Sequence, residues 1–152
     1  MIRTRKRMTL CICLLIFNVA FIWINSMLPR AVSSAFSRLV GSVINFFFPG
    51  PDIPSSGGGH GILRKIAHLT EFCCLGMLLH WLAGMLRQKR WEHIVYPLLA
   101  GIAVAALDET IQCFNPGRGP GILDVCIDTL GVTLGVLLVL IAHRFVKRKS
   151  VE

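Results

Sequence analysis

The sequence predicts an all-α membrane protein, a four-transmembrane-helix bundle. An amphipathic segment in the loop between helices 1 and 2 can form an interfacial helix at the membrane surface. Four apolar stretches can span a bilayer, at about residues 8–28, 66–85, 94–114 and 122–143, since a crossing helix needs about 20 mostly apolar residues. Only 16% of residues are charged and 54% are hydrophobic, which is less charge than a soluble domain carries. Helices are the expected spanning form because lipid offers the backbone no hydrogen-bond partners.

The basic residues predict the orientation of these spans. Eleven of the sixteen Lys and Arg lie in three stretches, 3–7, 87–90 and 144–149. The three stretches share one side of a four-span protein, and the positive-inside rule makes that side cytoplasmic. Both termini are therefore expected in the cytoplasm. The net charge of +8 does not indicate a nucleic-acid partner, because the charges lie at span ends rather than on one folded face. Anionic membrane lipids are the expected partners.

The first span follows a basic stretch and is followed by a long loop. The basic start and apolar run also resemble a signal peptide, but the run exceeds the usual length of about 7–15 residues, so we expect a retained helix. The outside loop, 29–61, is the longest connection. Its first part, 31–48, is amphipathic and can lie in the interface. Its second part, 49–61, is rich in Pro, Gly and Ser and predicts a flexible connector. We expect the whole chain, 1–152, to form one membrane domain.

Five of the eight acidic residues lie inside or at the edge of the spans: Glu71, Asp108, Glu109, Asp124 and Asp128. A carboxylate in hydrocarbon is costly unless it faces the bundle interior, a partner or water, so such residues are functional-site candidates by default. All five lie toward the outer ends of their spans under the expected orientation. The sequence therefore predicts a polar pocket at the outer leaflet.

Helical spacing places these carboxylates on faces that also carry small residues. Positions i, i+4, i+7 and i+11 share one face, and two spans show this pattern: Gly101, Ala105, Asp108 and Gln112 in the third, and Asp124, Asp128, Gly131 and Gly135 in the fourth. Small residues let helices approach closely in lipid. We expect a bundle that is tight on the cytoplasmic side and open outside, with Arg64, His68 and Glu71 as a third wall. Asp128, about 6 Å deeper than Asp124, would form the floor.

The loop 115–121 between the third and fourth spans contains two prolines and three glycines. It cannot be helical through its prolines, and it is too short for Arg118 to lie far from the carboxylates. Arg118 either pairs with Asp124 or Asp108, or presents its guanidinium to a phosphate or carboxylate of a ligand. Both alternatives remain open.

Three segments in order carry a resemblance to a known family: RKIAHLTEF at 64–72, DETIQCFNPGR at 108–118 and DVCIDTLGVTLG at 124–135. The chain resembles the VanZ-like family of small bacterial integral membrane proteins, which is associated with teicoplanin resistance. The resemblance covers about residues 10–145, and Asn25 and Ser26 also fit it. It implies the bacterial cytoplasmic membrane, the cell envelope and glycopeptide tolerance, but no reaction. Asp128 stands where the family often has Asn.

Our principal functional hypothesis is that the pocket binds an anionic envelope lipid or a lipid-linked wall precursor. A glycopeptide is an alternative partner. Such a lipid lies in the outer leaflet and carries phosphate, which cationic side chains can bind. The residues predicted to bind it are Lys65, His68, Glu71, Asp108, Glu109, Gln112, Arg118, Asp124 and Asp128.

Two alternatives accompany this hypothesis. The first is a membrane-embedded hydrolase or transferase acting on such a lipid, with His68, Glu71 or Asp108 as general acid or base. A divalent cation held by Asp108, Asp124 and Asp128, with Glu71 nearby, would suit phosphoryl chemistry. No Gly-x-Ser-x-Gly or His-Glu-x-x-His motif supports an enzyme. The second alternative is a charged cluster that only specifies helix packing.

The cysteines and the remaining histidines predict no further site. Cys113 and Cys126 lie near the outer ends of neighbouring spans, where a disulfide requires Cα atoms within about 7 Å; the sequence does not decide whether this bond forms. The other four histidines are interpreted as interfacial or satisfied groups: His60, His80, His93 and His143. The sequence predicts no oligomeric state.

Overall fold

The structure, a computed structural model, describes residues 2–28, 59–86, 89–114 and 121–149. The predicted interfacial segment 31–48, most of the predicted connector 49–61 and Arg118 lie outside these residues.

The described residues form four α-helices and no strand. The helices are α1 (Ile2–Met27), α2 (Gly59–Met85), α3 (Glu92–Cys113) and α4 (Ile122–Lys149). Each contains a segment long and apolar enough to cross a membrane: Thr4–Met27, Arg64–Met85, Glu92–Cys113 and Ile122–Phe145. The four predicted spans and the four-helix bundle are confirmed, with small differences at the ends of the spans.

One boundary prediction was wrong. The flexible connector was predicted to extend to Gly61, but α2 begins at Gly59, so the last three residues of that segment are helical. The first N–H groups of a helix have no intrahelical partner. Glycine, which weakens the interior of a helix, is therefore tolerated best in this first turn. Composition alone placed the boundary too late.

The tightest contact in the bundle joins α2 and α4. A methyl group added to Gly135 would overlap the carbonyl oxygen of Cys73, and one added to Gly131 would lie 2.6 Å from the carbonyl oxygen of Leu69. The two backbones therefore touch where α4 has no side chains. Lipid tails are as apolar as leucine side chains, so moving an apolar side chain from lipid into the bundle contributes little. Close van der Waals packing therefore contributes much of the stability of helix association in a membrane. The predicted role of the small residues is confirmed at these two positions.

The buried core takes side chains from every helix, namely Ile22 of α1, Phe72 and Leu75 of α2, Ala105 of α3 and Val132 of α4. The outer surface carries large apolar side chains such as Phe17, Leu99 and Leu138, which are 70%, 57% and 52% exposed. An apolar exterior around a partly polar interior is the arrangement that a membrane requires.

The helices alternate in direction, so the bundle has two chemically different ends. We call the end where α1 and α3 finish and α2 and α4 begin the polar end; Asn25 of α1 contacts Glu71 of α2 there. The opposite end, the basic end, carries exposed cations that include Lys89 and Arg144. All six cysteines, Cys113 and Cys126 among them, are free.

Candidate functional site

Three buried side chains from three helices meet at the polar end: His68 of α2, Asp108 of α3 and Asp128 of α4. They are 8%, 0% and 2% exposed. One ring nitrogen of His68 and one carboxylate oxygen of each aspartate all lie within 4.8 Å of one another. We call these three residues the inner cluster. The face predicted for α3 is confirmed, since Gly101, Ala105, Asp108 and Gln112 are all among its buried residues.

Glu71 lies beside the inner cluster and is held by α1. Asn25 donates a hydrogen bond from Nδ2 to Oε1 of Glu71 over 2.8 Å. The other oxygen, Oε2, is 3.9 Å from Nδ1 of His68, and Oδ2 of Asp108 is 4.0 Å from the same nitrogen. His68 therefore lies between two carboxylates that come from different helices.

Asp108 is oriented by a chain of polar side chains behind it. Gln112, one turn further along α3, donates from Nε2 to Oδ2 of Asp108 over 2.8 Å. The same amide nitrogen donates to Oγ of Ser26 over 3.4 Å. Ser26 is 0% exposed and Gln112 is 5% exposed. The last turn of α1 is thereby connected to the inner cluster through α3.

Glu109 points toward the start of α4. The backbone N–H of Gly121 donates to its Oε2 over 3.0 Å, which uses one of the N–H groups that the beginning of a helix leaves without an intrahelical partner. Glu109 is 6% exposed. Glu71, Asp108, Glu109 and Asp128 are referred to below as the inner carboxylates.

The outermost charged group is more open to its surroundings. Nζ of Lys65 is 3.6 Å from Oδ1 of Asp124, and Nη2 of Arg64 is 4.0 Å from Oδ2 of Asp124. The side chains of Arg64, Lys65 and Asp124 are 27%, 45% and 24% exposed. We call these three residues the rim; it contains two cations and one carboxylate.

Several buried oxygens of the site have no hydrogen-bond donor among the described residues. They are Oε2 of Glu71, Oδ1 of Asp108 and Oε1 of Glu109. A buried acceptor without a donor costs about 1–3 kcal/mol, and more when it is charged. The described side chains therefore do not supply every hydrogen bond that the polar end needs. This is the condition expected of a site that binds a ligand or an ion.

A small cleft connects the rim to the inner cluster. Its volume is about 250 Å³ including its open mouth, and its walls are contributed by the rim, His68, Asp128 and neighbouring residues of α3 and α4. The enclosed part has room for about one water molecule or ion. A larger ligand can place only a small polar group inside.

Most of the predicted site residues lie at the polar end. Eight of them are found there: Lys65, His68, Glu71, Asp108, Glu109, Gln112, Asp124 and Asp128. The ninth, Arg118, lies outside the described residues. The predicted metal-ligand set changes: the group with ligand atoms in reach of one another contains His68 with Asp108 and Asp128. Asp124 instead faces the rim cations, because it lies one helical turn closer to the mouth.

Sequence reasoning missed two features. The sequence predicts Arg64 in a wall of the pocket but not in the ligand-binding set, although its position one turn before His68 places it on the same face. At the basic end the ring of His80 lies 6.1 Å from that of His93 and 6.3 Å from that of His143, centroid to centroid. The sequence pattern predicts each of the three histidines as a separate interfacial or satisfied group, whereas the alternating topology places them together at one end of the bundle.

The fold and this buried ionisable group define a multi-pass integral membrane protein with a polar site inside one end of its helix bundle. The chain belongs to the VanZ/LLP1 family, whose model matches residues 10–143. The resemblance predicted from the segments 64–72, 108–118 and 124–135 is thereby confirmed. No curated protein and no solved structure matches the chain.

Proposed function

We propose that the polar end binds the phosphate-bearing head group of an anionic envelope lipid or lipid-linked wall precursor, and that the protein thereby contributes to glycopeptide tolerance. The observation that carries this proposal is the rim, where Arg64 and Lys65 stand against the single carboxylate Asp124. The rim has one positive charge in excess and opens directly onto the cleft.

The charge distribution supports a location at the outer leaflet of the bacterial cytoplasmic membrane. Four crossings place both termini on one side, and the basic end then faces the cytoplasm by the positive-inside rule. The polar end consequently lies at the outer leaflet, where lipid-linked wall precursors present their phosphates. This orientation also keeps the rim within reach of lipid head groups.

The rim distances indicate that Arg64 and Lys65 are available to a ligand phosphate, because neither forms a short hydrogen-bonded ion pair with Asp124. A charge-assisted N–H···O hydrogen bond spans about 2.7–2.9 Å, whereas the two rim pairs span 3.6 and 4.0 Å. Half-exposed pairs of this kind contribute about 0–1 kcal/mol, so little is lost when a phosphate takes over the cations. Arginine and lysine together offer a bidentate fork and a point charge to such a group.

The surroundings of the cleft suit a ligand with apolar chains. The cleft admits only a small polar group, so most of an anionic lipid must remain outside the bundle. Phe114, Ile122 and Leu123 lie at the same end and are 84%, 82% and 68% exposed. They offer an apolar surface at the depth where the acyl or prenyl chains of a bound lipid lie.

A second function, a hydrolase or transferase for the same lipid, is favoured by one observation. His68 lies 3.9 Å from a carboxylate oxygen of Glu71 and 4.0 Å from one of Asp108. A histidine oriented by a carboxylate is a common general acid or base. Turnover of a bound lipid-linked phosphate would distinguish this function from binding alone.

The test is thermal unfolding of the detergent-purified protein with phosphatidylglycerol, a polyprenyl-diphosphate-linked wall precursor, teicoplanin or zwitterionic phosphatidylcholine. We expect the anionic lipids to raise Tm and phosphatidylcholine not to. The rim variant Arg64→Gln/Lys65→Gln should lose most of this shift. Lys89→Gln/Arg90→Gln, which removes the same charge from the basic end, is the matched control and should retain it.

Two outcomes would contradict the proposal. If the rim variant and its control respond equally to the anionic lipids, binding does not involve the rim. If no compound stabilises the wild type, the polar end is a packing element, or it contacts a protein. Teicoplanin susceptibility of cells that express each variant then tests whether binding and tolerance change together.

A further inference from the structure

The polar end contains more buried carboxylates than cations to balance them. None of the inner carboxylates forms an ion pair with a lysine or arginine in the described part of the chain, where both rim cations pair with Asp124. Two of them, Glu71 and Asp108, have an oxygen 3.9 and 4.0 Å from Nδ1 of His68. Several anions in a low-dielectric interior cannot all remain charged unless a cation joins them.

The inner cluster has the spacing of a metal-binding group. Its three potential ligand atoms lie within 4.8 Å of one another. Ligands bonded to one ion at about 2.0–2.2 Å are separated by about 3–4 Å. Side-chain movements of roughly half an ångström, well within a rotamer well, therefore suffice to place all three on one ion.

Two independent features indicate that Asp108 is prepared to bind a cation. Its Oδ2 accepts a hydrogen bond from Gln112, the kind of second interaction that orients a metal-ligating carboxylate. Its Oδ1 has no donor among the described residues, although the side chain is completely buried. A buried carboxylate that is fixed through one oxygen and unsatisfied at the other lacks a positive partner.

We propose that the inner cluster binds one divalent cation through His68, Asp108 and Asp128. His68 and Asp128 line the same cleft as Arg64 and Lys65, so the proposed ion lies close to the rim. A phosphate held at the rim can then reach the ion with one oxygen; this last contact rests on the proposed function, whereas the metal site itself does not.

The donor set selects among divalent cations. One imidazole and two carboxylates suit Zn²⁺ or Mn²⁺. Ca²⁺ prefers about six to eight oxygen ligands, and Mg²⁺ retains most of its water, which a buried cluster with a cleft this small does not accommodate. The site is therefore assigned to Zn²⁺ or Mn²⁺, and titrations with each ion distinguish them.

The first experiment uses the full-length protein in detergent after treatment with EDTA and removal of the chelator. Mn²⁺ binding is followed by electron paramagnetic resonance, and Zn²⁺ binding by competition with a chromophoric chelator. We expect one equivalent of ion and a rise in Tm on binding. Spin-echo modulation from one imidazole nitrogen is expected in the Mn²⁺-loaded wild type, and this observation needs no variant.

Near-isosteric variants then identify the ligands. Asp128→Asn should weaken binding at least tenfold, as should Asp108→Asn, since amides are poorer ligands than carboxylates. Asp124→Asn is the matched control: it removes a neighbouring carboxylate one turn away on the same helix and should change affinity less than threefold. His143→Gln controls for adventitious binding at the basic end, where three histidines lie together.

Three results would overturn the inference. The first is that the stripped wild type binds neither Mn²⁺ nor Zn²⁺ stoichiometrically. The second is that Mn²⁺ binds without spin-echo modulation from an imidazole nitrogen. The third is that Asp128→Asn and Asp124→Asn lose affinity equally. Lipid stabilisation is measured on stripped and loaded protein in parallel. If lipids stabilise a protein that binds no ion, only this inference fails; if the ion binds and no lipid does, only the proposed function fails.

Discussion

His80 of α2 hydrogen-bonds through Nδ1 to the backbone carbonyl of His93 in α3 over 2.7 Å. Within a regular helix that carbonyl would accept from the N–H four residues later, which is position 97, but Pro97 has no N–H. Because a carbonyl can only accept, the proton of the His80 ring is on Nδ1. A side chain of one helix thus supplies the donor that proline removes from another.

The hydrogen bond from His80 predicts an interaction with Pro97 in a double-mutant cycle. His80→Phe should destabilise the protein by about 1–3 kcal/mol, since it leaves the carbonyl of His93 without that donor. Pro97→Ala restores an N–H at position 97. In the Pro97→Ala protein, His80→Phe should therefore cost about 1 kcal/mol less than in the wild type. Thermal or denaturant unfolding in detergent measures both costs. Equal costs in the two backgrounds would contradict the interpretation.

The contact between α2 and α4 predicts a strong dependence on glycine. Gly135→Ala should destabilise the bundle by about 1–3 kcal/mol, because its methyl group would meet the backbone of α2 and force the helices apart. Gly84→Ala is the matched control, since nothing lies within 4 Å of an added Cβ there. It should be neutral or stabilise by up to about 1 kcal/mol through helix propensity. A Gly135→Ala protein as stable as Gly84→Ala would disprove the close contact.

Removal of the Gln112 side-chain amide, which donates to Asp108, should lower the free energy of unfolding although Gln112 carries no charge. Gln112→Leu leaves Oδ2 of Asp108 without its hydrogen bond of 2.8 Å, and the expected loss is about 1–3 kcal/mol because the acceptor is buried. Thr110→Ala, on an exposed position of the same helix turn, should cost no more than about 0.5 kcal/mol. Unfolding curves that coincide for the two variants would show that Gln112 does not support Asp108.

The link between α1 and α2 can be measured in the same way. Asn25→Ala should cost about 1–3 kcal/mol, because Oε1 of Glu71 loses its donor from Asn25 inside the bundle. Glu71→Ala removes the acceptor, and Asn25→Ala in that background should cost at least about 1 kcal/mol less. Unfolding of the two single variants and the double variant completes the cycle. Additive costs would show that the two side chains are energetically independent.

Much of the architecture follows from the sequence because lipid imposes few alternatives. Apolar length predicts the four spans, since only a helix of about 20 residues both crosses the bilayer and satisfies its own backbone. Helical spacing then places Asp108 and Gln112 on the face that is buried in the bundle. The three segments that carry the family resemblance contain most of the residues found at the polar end.

The amino-acid sequence by itself determined which helices exist, which end of the bundle is polar and which helix faces carry the carboxylates, because periodicity and hydrophobic length fix these properties locally. Only the tertiary structure decided the partners: Asp124 faces Lys65 at the rim, whereas His68 joins Asp108 and Asp128. The reason is that partner choice depends on the rotation and depth of each helix against its neighbours. Close packing at glycines such as Gly135 sets the rotation and the depth of α4. One helical turn along α4 separates Asp124, which faces Lys65, from Asp128, which joins His68.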